Sequence, residues 1–318
     1  MADLQQQLTK YLTDAYSIEQ QALAQMRTAP DIAGHPELER IFAEHLVETE
    51  HQEKRIGLLL EQRGASPSRI KDAVMALGGK AFILFARSQP DTTGKLTVHA
   101  HSYEALEEAS YELLMGVAER AGEDEVAGAA RLIRDQEAQM RERIAGLFDE
   151  AAEASLREVD PDDLDEQLAK YLADAHAIEA QAIQLLQRGP KIGGVPELEA
   201  LYERHLDQSR DQQRRVEERL SAHDASPNRL QDAAMRLGAL NWGAFFQAQP
   251  DTPGKLAAFA YAFEHLEIGG YELLRRVAAR AGDEDTVAMA DGIIVEERAM
   301  AGSVQALFSK ALDASLAA

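Results

Sequence analysis

The sequence repeats itself once along its length. When it is shifted by 160 residues, position 10 pairs with position 170 and the chain aligns with itself without a gap. The paired segments include Lys10-Tyr11-Leu12 with Lys170-Tyr171-Leu172, and Tyr111-Glu112-Leu113-Leu114 with Tyr271-Glu272-Leu273-Leu274. Agreement at this one period indicates duplication of a whole unit, and 318 residues also suit two domains by size. We therefore predict two domains of one fold, residues 1–158 and 161–318, joined where Asp160 precedes Pro161.

Each copy is predicted to contain four long helices. In the first copy they run from about Asp3 to Thr28, Pro36 to Arg63, Thr93 to Ala121 and Glu123 to Glu153. Gly64 and Gly122 mark two of the helix ends. The connection from Ala65 to Gln89 is long and begins with Ser66-Pro67, which predicts a short extra helix within it. Two short loops and one long crossover are typical of a ferritin-like four-helix bundle, so the predicted fold class is all-α.

The composition excludes several classes of function. The chain has no cysteine, which excludes disulfides, thiolate metal sites and cysteine nucleophiles. Its net charge is −22, so it offers no basic face to nucleic acid or to an anionic membrane surface. The first residues lack the basic and apolar segments of a signal peptide, and no apolar run is long enough to span a bilayer. We expect a cytoplasmic protein without nucleic-acid or membrane partners.

Glutamates interrupt the apolar face of all four helices in the first copy. Helix two contributes Glu48, which we place in one buried stripe with His45 and Gln52, and His51 follows Glu48 by one turn. The glutamates in the other three helices are Glu19, Glu104, Glu107 and Glu137. Burying several carboxylates together is costly, and divalent cations would offset that cost. Glutamates combined with Glu-x-x-His resemble a dinuclear carboxylate site, and oxygen with imidazole ligands suits iron or manganese.

Each part of this pattern also has a plainer interpretation. Glu-x-x-His and Glu-x-x-Glu motifs are common on the solvated faces of acidic helices. We interpret His45 as a hydrogen-bonded core histidine and Met140 as ordinary core. Tyr16 and Tyr111 fit either ordinary core positions or hydrogen bonding to metal ligands. The occurrence of a glutamate in the apolar stripe of all four helices favours metal binding.

The segments around these glutamates resemble a known group of proteins. They are Tyr11-Leu12-Thr13-Asp14-Ala15-Tyr16-Ser17-Ile18-Glu19-Gln20-Gln21, His45-Leu46-Val47-Glu48-Thr49-Glu50-His51 and Glu104-Ala105-Leu106-Glu107-Glu108-Ala109-Ser110-Tyr111. They are similar to the YciE/YciF-type ferritin-like proteins, and the similarity covers almost the whole of each copy. The resemblance implies a ferritin-like bundle, dimers of single-domain members, a dinuclear metal centre and an association with stress response.

Carried over by position, the resemblance implies a set of metal ligands: Glu19, Glu48, His51, Glu104 or Glu107, and Glu137. Met140 stands where related enzymes have a second histidine, and Ala105 stands where the second copy has His265. The second copy departs further, because Gln208 replaces Glu48 and Asp211 replaces His51. We therefore expect a weaker site there, formed by Glu179, Asp211, Glu264, Glu267 and Glu297.

Two functions fit these features. The first is a redox metalloprotein whose dinuclear iron or manganese centre reacts with peroxide, oxygen or ferrous iron. The second is a non-catalytic stress or scaffold protein with a structural or vestigial metal site. Iron storage in a cage ranks lowest, because a fused asymmetric pair does not readily build a symmetric shell. We expect the two copies to form an intramolecular pseudo-dimer, which leaves room for further oligomerisation.

Overall fold

The computed structural model describes residues 4–65, 92–189, 194–227 and 252–317. Within these ranges helices are joined by short turns, and the chain divides into two compact units, Met1–Arg157 and Glu158–Ala318. The prediction of an all-α chain in two tandem halves is confirmed. The short crossover helix predicted after Ser66-Pro67 lies outside the described residues, as does the corresponding stretch after Pro227.

Both units follow the same order of helices. The first contains α1 (Leu4–Met26), α2 (Ala29–Ile32), α3 (Pro36–Gln62), α4 (Thr92–Ala121), α5 (Asp124–Ala145) and α6 (Phe148–Leu156). The second begins with a 3-10 turn at Pro161–Asp163 and contains α7 (Leu164–Leu186), α8 (Pro196–Ala222), α9 (Thr252–Ala281), α10 (Glu284–Gln305) and α11 (Phe308–Ala317). None of the helices in the described ranges combines the length and hydropathy needed to cross a bilayer.

The end of the second long helix has the same geometry in both copies but not the same residue. Gly64 follows α3 with φ +66°, in the left-handed region that glycine enters without steric cost. Asp224 takes this position after α8 with φ +52°. In both copies the next amide bonds back to close the last turn, from Ala65 N to Leu60 O at 3.1 Å and from Ala225 N to Leu220 O at 2.9 Å.

The fourth predicted helix is in fact two helices. The continuous helix expected from Glu123 to Glu153 breaks between Ala145 and Phe148, so that prediction is wrong. The break is not caused by Gly146, because Ala306 occupies its place in the second unit and the chain breaks there too, between Gln305 and Phe308. Phe148 and Phe308 are both buried directly after the break. We infer that packing of this ring, rather than local helix propensity, ends the helix.

A serine from the last helix of each unit binds the start of the third long helix. Gly94 N in α4 donates to Ser155 Oγ of α6 at 2.8 Å, and Gly254 N in α9 donates to Ser315 Oγ of α11 at 2.8 Å. The first amides of a helix have no partner within the helix, so each hydroxyl satisfies a donor that would otherwise be orphaned. The short helix after the break therefore anchors the helix that carries two of the buried glutamates.

The four long helices of each unit form a bundle. In the first unit α1 packs against α3 and α4, and α5 packs against the same two helices. In the second unit α7 and α10 pack in the same way against α8 and α9. Met140, expected to be ordinary core, belongs to an apolar cluster with Phe42 and Leu96. The bundle brings the inner faces of four helices together, and with them the glutamates on those faces.

The buried face of α3 differs from the predicted stripe at one position. Thr49 is 1% exposed, whereas the side chain of Glu48 is 39% exposed. The prediction that Glu48 lies inside the stripe is therefore wrong. The apolar stripe of a helix advances by three or four residues at a time, so it can pass from His45 to Gln52 through either position 48 or position 49. The residue that the structure buries between them is Thr49.

Candidate metal centres

One histidine and three glutamates meet in the interior of the first unit. His45 projects from α3, Glu104 and Glu107 from α4, and Glu137 from α5. Each offers one ligand atom, and these atoms all lie within 4.8 Å of one another. None of the four residues is more than 1% exposed. This group, which we call the first cluster, could hold a metal ion.

The imidazole of His45 is held from both sides. Its Nε2 lies 3.1 Å from Glu104 Oε2 and 3.4 Å from Glu137 Oε2. Its Nδ1 lies 3.1 Å from Oε2 of Glu48 at the edge of the bundle. Because the carboxylate of Glu48 can only accept from Nδ1–H, Nε2 is the nitrogen left for a cation when the ring is neutral. In this geometry Glu48 orients the histidine.

Glu19 of α1 adds a fourth carboxylate beside the first cluster. It is fully buried and accepts a hydrogen bond from the Tyr111 hydroxyl. It lies close enough to His45 and Glu104 for their charges to shift its pKa. Gln52 Nε2 donates to Glu137 Oε1 at 2.5 Å. All four long helices of the unit therefore contribute an ionisable group to one place.

Burial keeps protons on Glu19, Glu107 and Glu137. Burial raises the pKa of Glu19 from 4.5 to about 8, against the lowering effect of the Tyr111 hydrogen bond and the His45 charge. Burial also raises the pKa of Glu107 and of Glu137 well above the ordinary value. Burial alone would lower the pKa of His45, but the nearby carboxylates of Glu104 and Glu137 raise it well above 6.5. A bound cation would compensate the same carboxylates in place of these protons.

The second unit contains the same group, which we call the second cluster. His205 projects from α8, Glu264 and Glu267 from α9, and Glu297 from α10, with ligand atoms again within 4.8 Å of one another. His205 Nε2 lies 3.2 Å from Glu264 Oε2 and 3.3 Å from Glu297 Oε2. Its Nδ1 lies 3.1 Å from Oε1 of Gln208. The amide oxygen of Gln208 thus takes the same position against histidine as the carboxylate of Glu48.

The second cluster also contains buried acids with raised pKa values and a histidine whose pKa nearby carboxylates raise. Glu179 of α7 accepts a hydrogen bond from Tyr271 Oη at 2.6 Å. Burial raises the pKa of Glu264 to about 8 and the pKa of Glu179 well above its ordinary value. Burial alone would lower the pKa of His205, but the carboxylates of Glu264 and Glu297 raise it to about 11.

The residues proposed from the sequence fall into two groups in the structure. Buried together are Glu19, Glu104, Glu107 and Glu137 in the first unit, and Glu179, Glu264, Glu267 and Glu297 in the second. His51 is exposed, and Asp211 is exposed beside Arg214 and Arg215. The weaker second site was expected because Gln208 and Asp211 replace Glu48 and His51. Neither replacement falls within the buried group.

His45 is the cluster residue that sequence reasoning assigned to the core. A signal for it was present in the repeat. The five buried positions are identical in the two copies, as Glu19 with Glu179, His45 with His205, Glu104 with Glu264, Glu107 with Glu267 and Glu137 with Glu297. Positions 48 and 51 differ between the copies. Comparing the copies position by position therefore separates the buried group from the exposed motif.

Several oxygens of these clusters are buried without a hydrogen-bond partner. Among the described residues, nothing hydrogen-bonds to Glu19 Oε2 or Glu104 Oε1 in the first unit, or to Glu179 Oε2 and both oxygens of Glu267 in the second. A buried carboxylate oxygen left in this way destabilises the fold unless something binds it. Four carboxylates and one imidazole are a hard donor set of the kind that iron and manganese accept. The residues present therefore fit a metal ion.

The two units differ at a contact farther from the clusters. In the first unit Tyr16 Oη donates to Glu53 Oε1 at 2.6 Å, and a β-carbon at Gly57 would come within 3.3 Å of the tyrosine ring. In the second unit His176 replaces Tyr16, and its Nε2 lies 3.0 Å from Oε1 of Glu217, the residue that replaces Gly57. Tyr16 therefore bonds to Glu53, whereas Tyr111 bonds to the buried group.

Comparison with known families gives one match for each half of the chain. Residues 3–157 and 163–317 both match the model of a family described as Domain of unknown function (DUF892). The two matches confirm that the chain is a tandem duplication of one domain. No solved structure matches the chain.

Proposed function

The chain belongs to the DUF892 family in both of its halves, and from the two buried clusters we propose that it is a metalloprotein with one histidine–carboxylate centre in each half. The ligands are His45, Glu104, Glu107, Glu137 and Glu19 in the first unit, and the equivalent His205, Glu264, Glu267, Glu297 and Glu179 in the second. Four carboxylates and one histidine in each centre would be enough to hold two iron or manganese ions, as in ferritin-like proteins.

One observation carries this proposal. Five buried ionisable residues are the same in both copies, although some of their neighbours have changed, such as Glu48 to Gln208 and His99 to Phe259. A core that only needed to pack would gain stability by replacing such groups with apolar residues. Metal binding explains why each copy retains all five together.

Iron or manganese bound here would supply redox chemistry toward peroxide, oxygen or ferrous iron, in keeping with a role under oxidative stress. The surrounding side chains position the ligands. Glu48 and Gln208 accept from the outer nitrogens of the two histidines, and Gln52 donates to Glu137. Partners of this kind fix the orientation of first ligands and typically change metal affinity by roughly 10–100-fold.

Metal analysis of the purified full-length chain tests the proposal. The variants are His45→Gln, His205→Gln and the double variant, each loaded with ferrous or manganous ions under the same conditions. Each single variant is expected to lose the metal of one half, about half of the total, and the double variant nearly all of it. Far-ultraviolet circular dichroism confirms that each variant is folded.

His51→Gln is the matched control, since His51 lies on the same helix but is exposed. It is expected to keep the metal content of the unmodified chain. If His51→Gln loses metal and His45→Gln retains it, the metal site is the motif of Glu48 and His51 that the resemblance implies, and not the first cluster. Full retention in the double variant would overturn both clusters as metal centres.

A non-catalytic role with a structural metal is the second candidate. It is favoured by the burial of the first cluster, in which no residue is more than 1% exposed. Peroxide-consumption and ferrous-oxidation assays on the loaded chain separate the two candidates. Turnover that disappears in the double variant supports the redox function, whereas metal binding without turnover supports the structural one.

A further inference from the structure

A small cavity lies beside the second cluster. Its volume is about 30 Å³, and its wall is mostly apolar, including Leu185, Leu186, Leu256, Phe259 and Phe263. Glu264 and Tyr202 also line it. One water needs roughly 10–15 Å³ by this measure, and a cavity that holds benzene measures about 150 Å³. The space therefore suits a molecule of two or three heavy atoms.

Two of the equivalent positions in the first unit carry polar side chains, and a third carries a larger residue. Gln25 stands in place of Leu185 and His99 in place of Phe259, and His99 Nε2 lies 2.9 Å from Gln25 Oε1. Ala29 stands in place of Gly189, where an added β-carbon would come within 3.0 Å of the Tyr202 ring. The two copies thus keep the same cluster but differ in the wall beside Glu104 and Glu264.

We propose that this cavity binds dioxygen next to Glu264, an inference that rests on the metal function proposed above. Dioxygen is diatomic, uncharged and poorly hydrated, so it gains from moving out of water into an apolar space. Hydrated ferrous iron and peroxide would give up more ligand oxygens or hydrogen bonds than Glu264 and Tyr202, the two polar side chains of this wall, can replace. The second unit is the one that takes dioxygen, because Gln25 and His99 make the equivalent positions of the first unit polar.

Methyl NMR of the full-length, metal-free chain under dioxygen pressure tests this directly. Dioxygen is paramagnetic and broadens the signals of the protons that it approaches. Ala182 and Leu256 line the cavity, and Ala22 and Leu96 are the same residue types at the equivalent positions of the first unit. All four are buried, so exposure to solvent does not distinguish them. We expect several-fold more broadening for Ala182 and Leu256, and equal broadening would overturn the proposal.

An exchange variant and a cavity-filling variant make the test specific. Leu185→Gln with Phe259→His gives the second unit the polar pair of the first, and it is expected to remove the excess broadening. Ala260→Leu, at a half-buried position of the wall, fills the cavity with an apolar side chain and is expected to do the same. Excess broadening that survives in both folded variants would show that dioxygen lies elsewhere.

The outcomes of this experiment and of the metal analysis are independent. Normal metal content without excess broadening would refute the dioxygen site alone. If the metal analysis finds no bound metal but the excess broadening is present, the metal function is refuted. The cavity then remains a dioxygen-binding site that is not next to a metal centre.

Discussion

At Glu19 and Glu179 a buried tyrosine hydroxyl meets a buried carboxylate. Tyr111 donates to Glu19, and Tyr271 donates to Glu179. In each carboxylate the other oxygen, Oε2, has no hydrogen-bond partner among the described residues. The tyrosine therefore fixes the side chain while one oxygen stays available to a cation.

Removing this hydroxyl should weaken metal binding without removing a ligand. Tyr111→Phe and Tyr271→Phe are each expected to lower the metal affinity of their own centre by roughly 10–100-fold, the usual effect of losing a partner that orients a ligand. Competition with a chromophoric chelator measures the change. Tyr16→Phe is the control, because Tyr16 bonds to Glu53 and is expected to leave affinity unchanged. Equal effects of Tyr16→Phe and Tyr111→Phe would contradict the positioning role.

The raised pKa values predict how the stability of the metal-free protein depends on pH. The pKa of Glu19 rises on folding from 4.5 to about 8 and that of His205 from 6.5 to about 11, so the folded chain holds protons that the unfolded chain releases. Stability is therefore fully present below the lower value of each pair and is lost as pH rises toward the higher value. Urea unfolding of chelated protein should show stability falling between about pH 5 and pH 8.

Metal-loaded protein should show a flatter profile over the same range, because the cation has already displaced these protons. Glu19→Gln provides a second comparison, since it removes one of the groups with a raised pKa and should reduce the slope of the metal-free profile. Parallel profiles for the loaded and metal-free protein would mean that the acids titrate as solvated groups.

The spacing of apolar residues predicted the burial of the carboxylates of the candidate site, but not the place of its histidine in it. Glu19 and Glu137 stand in apolar stripes that admit one choice of face, so their burial could be read from spacing alone. Between His45 and Gln52 the spacing admits either Glu48 or Thr49, and only packing against the other helices decides between them. The resemblance then drew attention to His51, which the helix turns toward solvent.

The residue that follows the second long helix differs between the units, and this difference predicts how two substitutions change stability. Asp224 holds a left-handed conformation that Gly64 holds in the first unit. Asp224→Gly should therefore stabilise the chain by about 0.5–1 kcal/mol, and Gly64→Ala should destabilise it by about 1 kcal/mol. Both changes are measured as shifts in the midpoint of urea unfolding, provided that the dependence of the free energy of unfolding on urea concentration stays the same. A loss of stability in Asp224→Gly would show that the aspartate makes a contact worth more than the strain.

Most helix boundaries could be predicted because local chemistry fixes them. Pro36 begins α3, and glycines with positive φ follow α3 and α4. These residues determine the helix ends through their own backbone preferences, so the ends can be recognised in the sequence. The break after α5 has no such mark, because both Gly146 and Ala306 occupy it. There the burial of Phe148 or Phe308 against other helices ends the helix. The pattern of residues within one helix does not show how that helix packs against others.

For the whole molecule, each unit has its own core and its own cluster, so metal should stabilise the two halves separately. At free metal about 100 times Kd, each half gains about 2.7 kcal/mol from each ion that it binds. For a domain of this size each ion therefore adds roughly 5–10 °C to Tm. In calorimetry of loaded His45→Gln, one half should unfold at a lower temperature than the other by about this amount. His205→Gln should give the same splitting, and a single shifted transition in both would show that the halves unfold together.

The exchange of Tyr16 and Gly57 for His176 and Glu217 also limits how the two copies can recombine. A genetic crossover between the first two long helices would set Tyr16 against Glu217, where the ring leaves room for glycine, and would replace the acceptor Glu53 with Gln213. The reciprocal hybrid would put glycine in place of Glu217, which pairs with His176. We expect both hybrids to be less stable than the unmodified chain, and selection against them would oppose the homogenisation that tandem repeats otherwise undergo. Each copy can then keep its own mutations and drift toward a separate task.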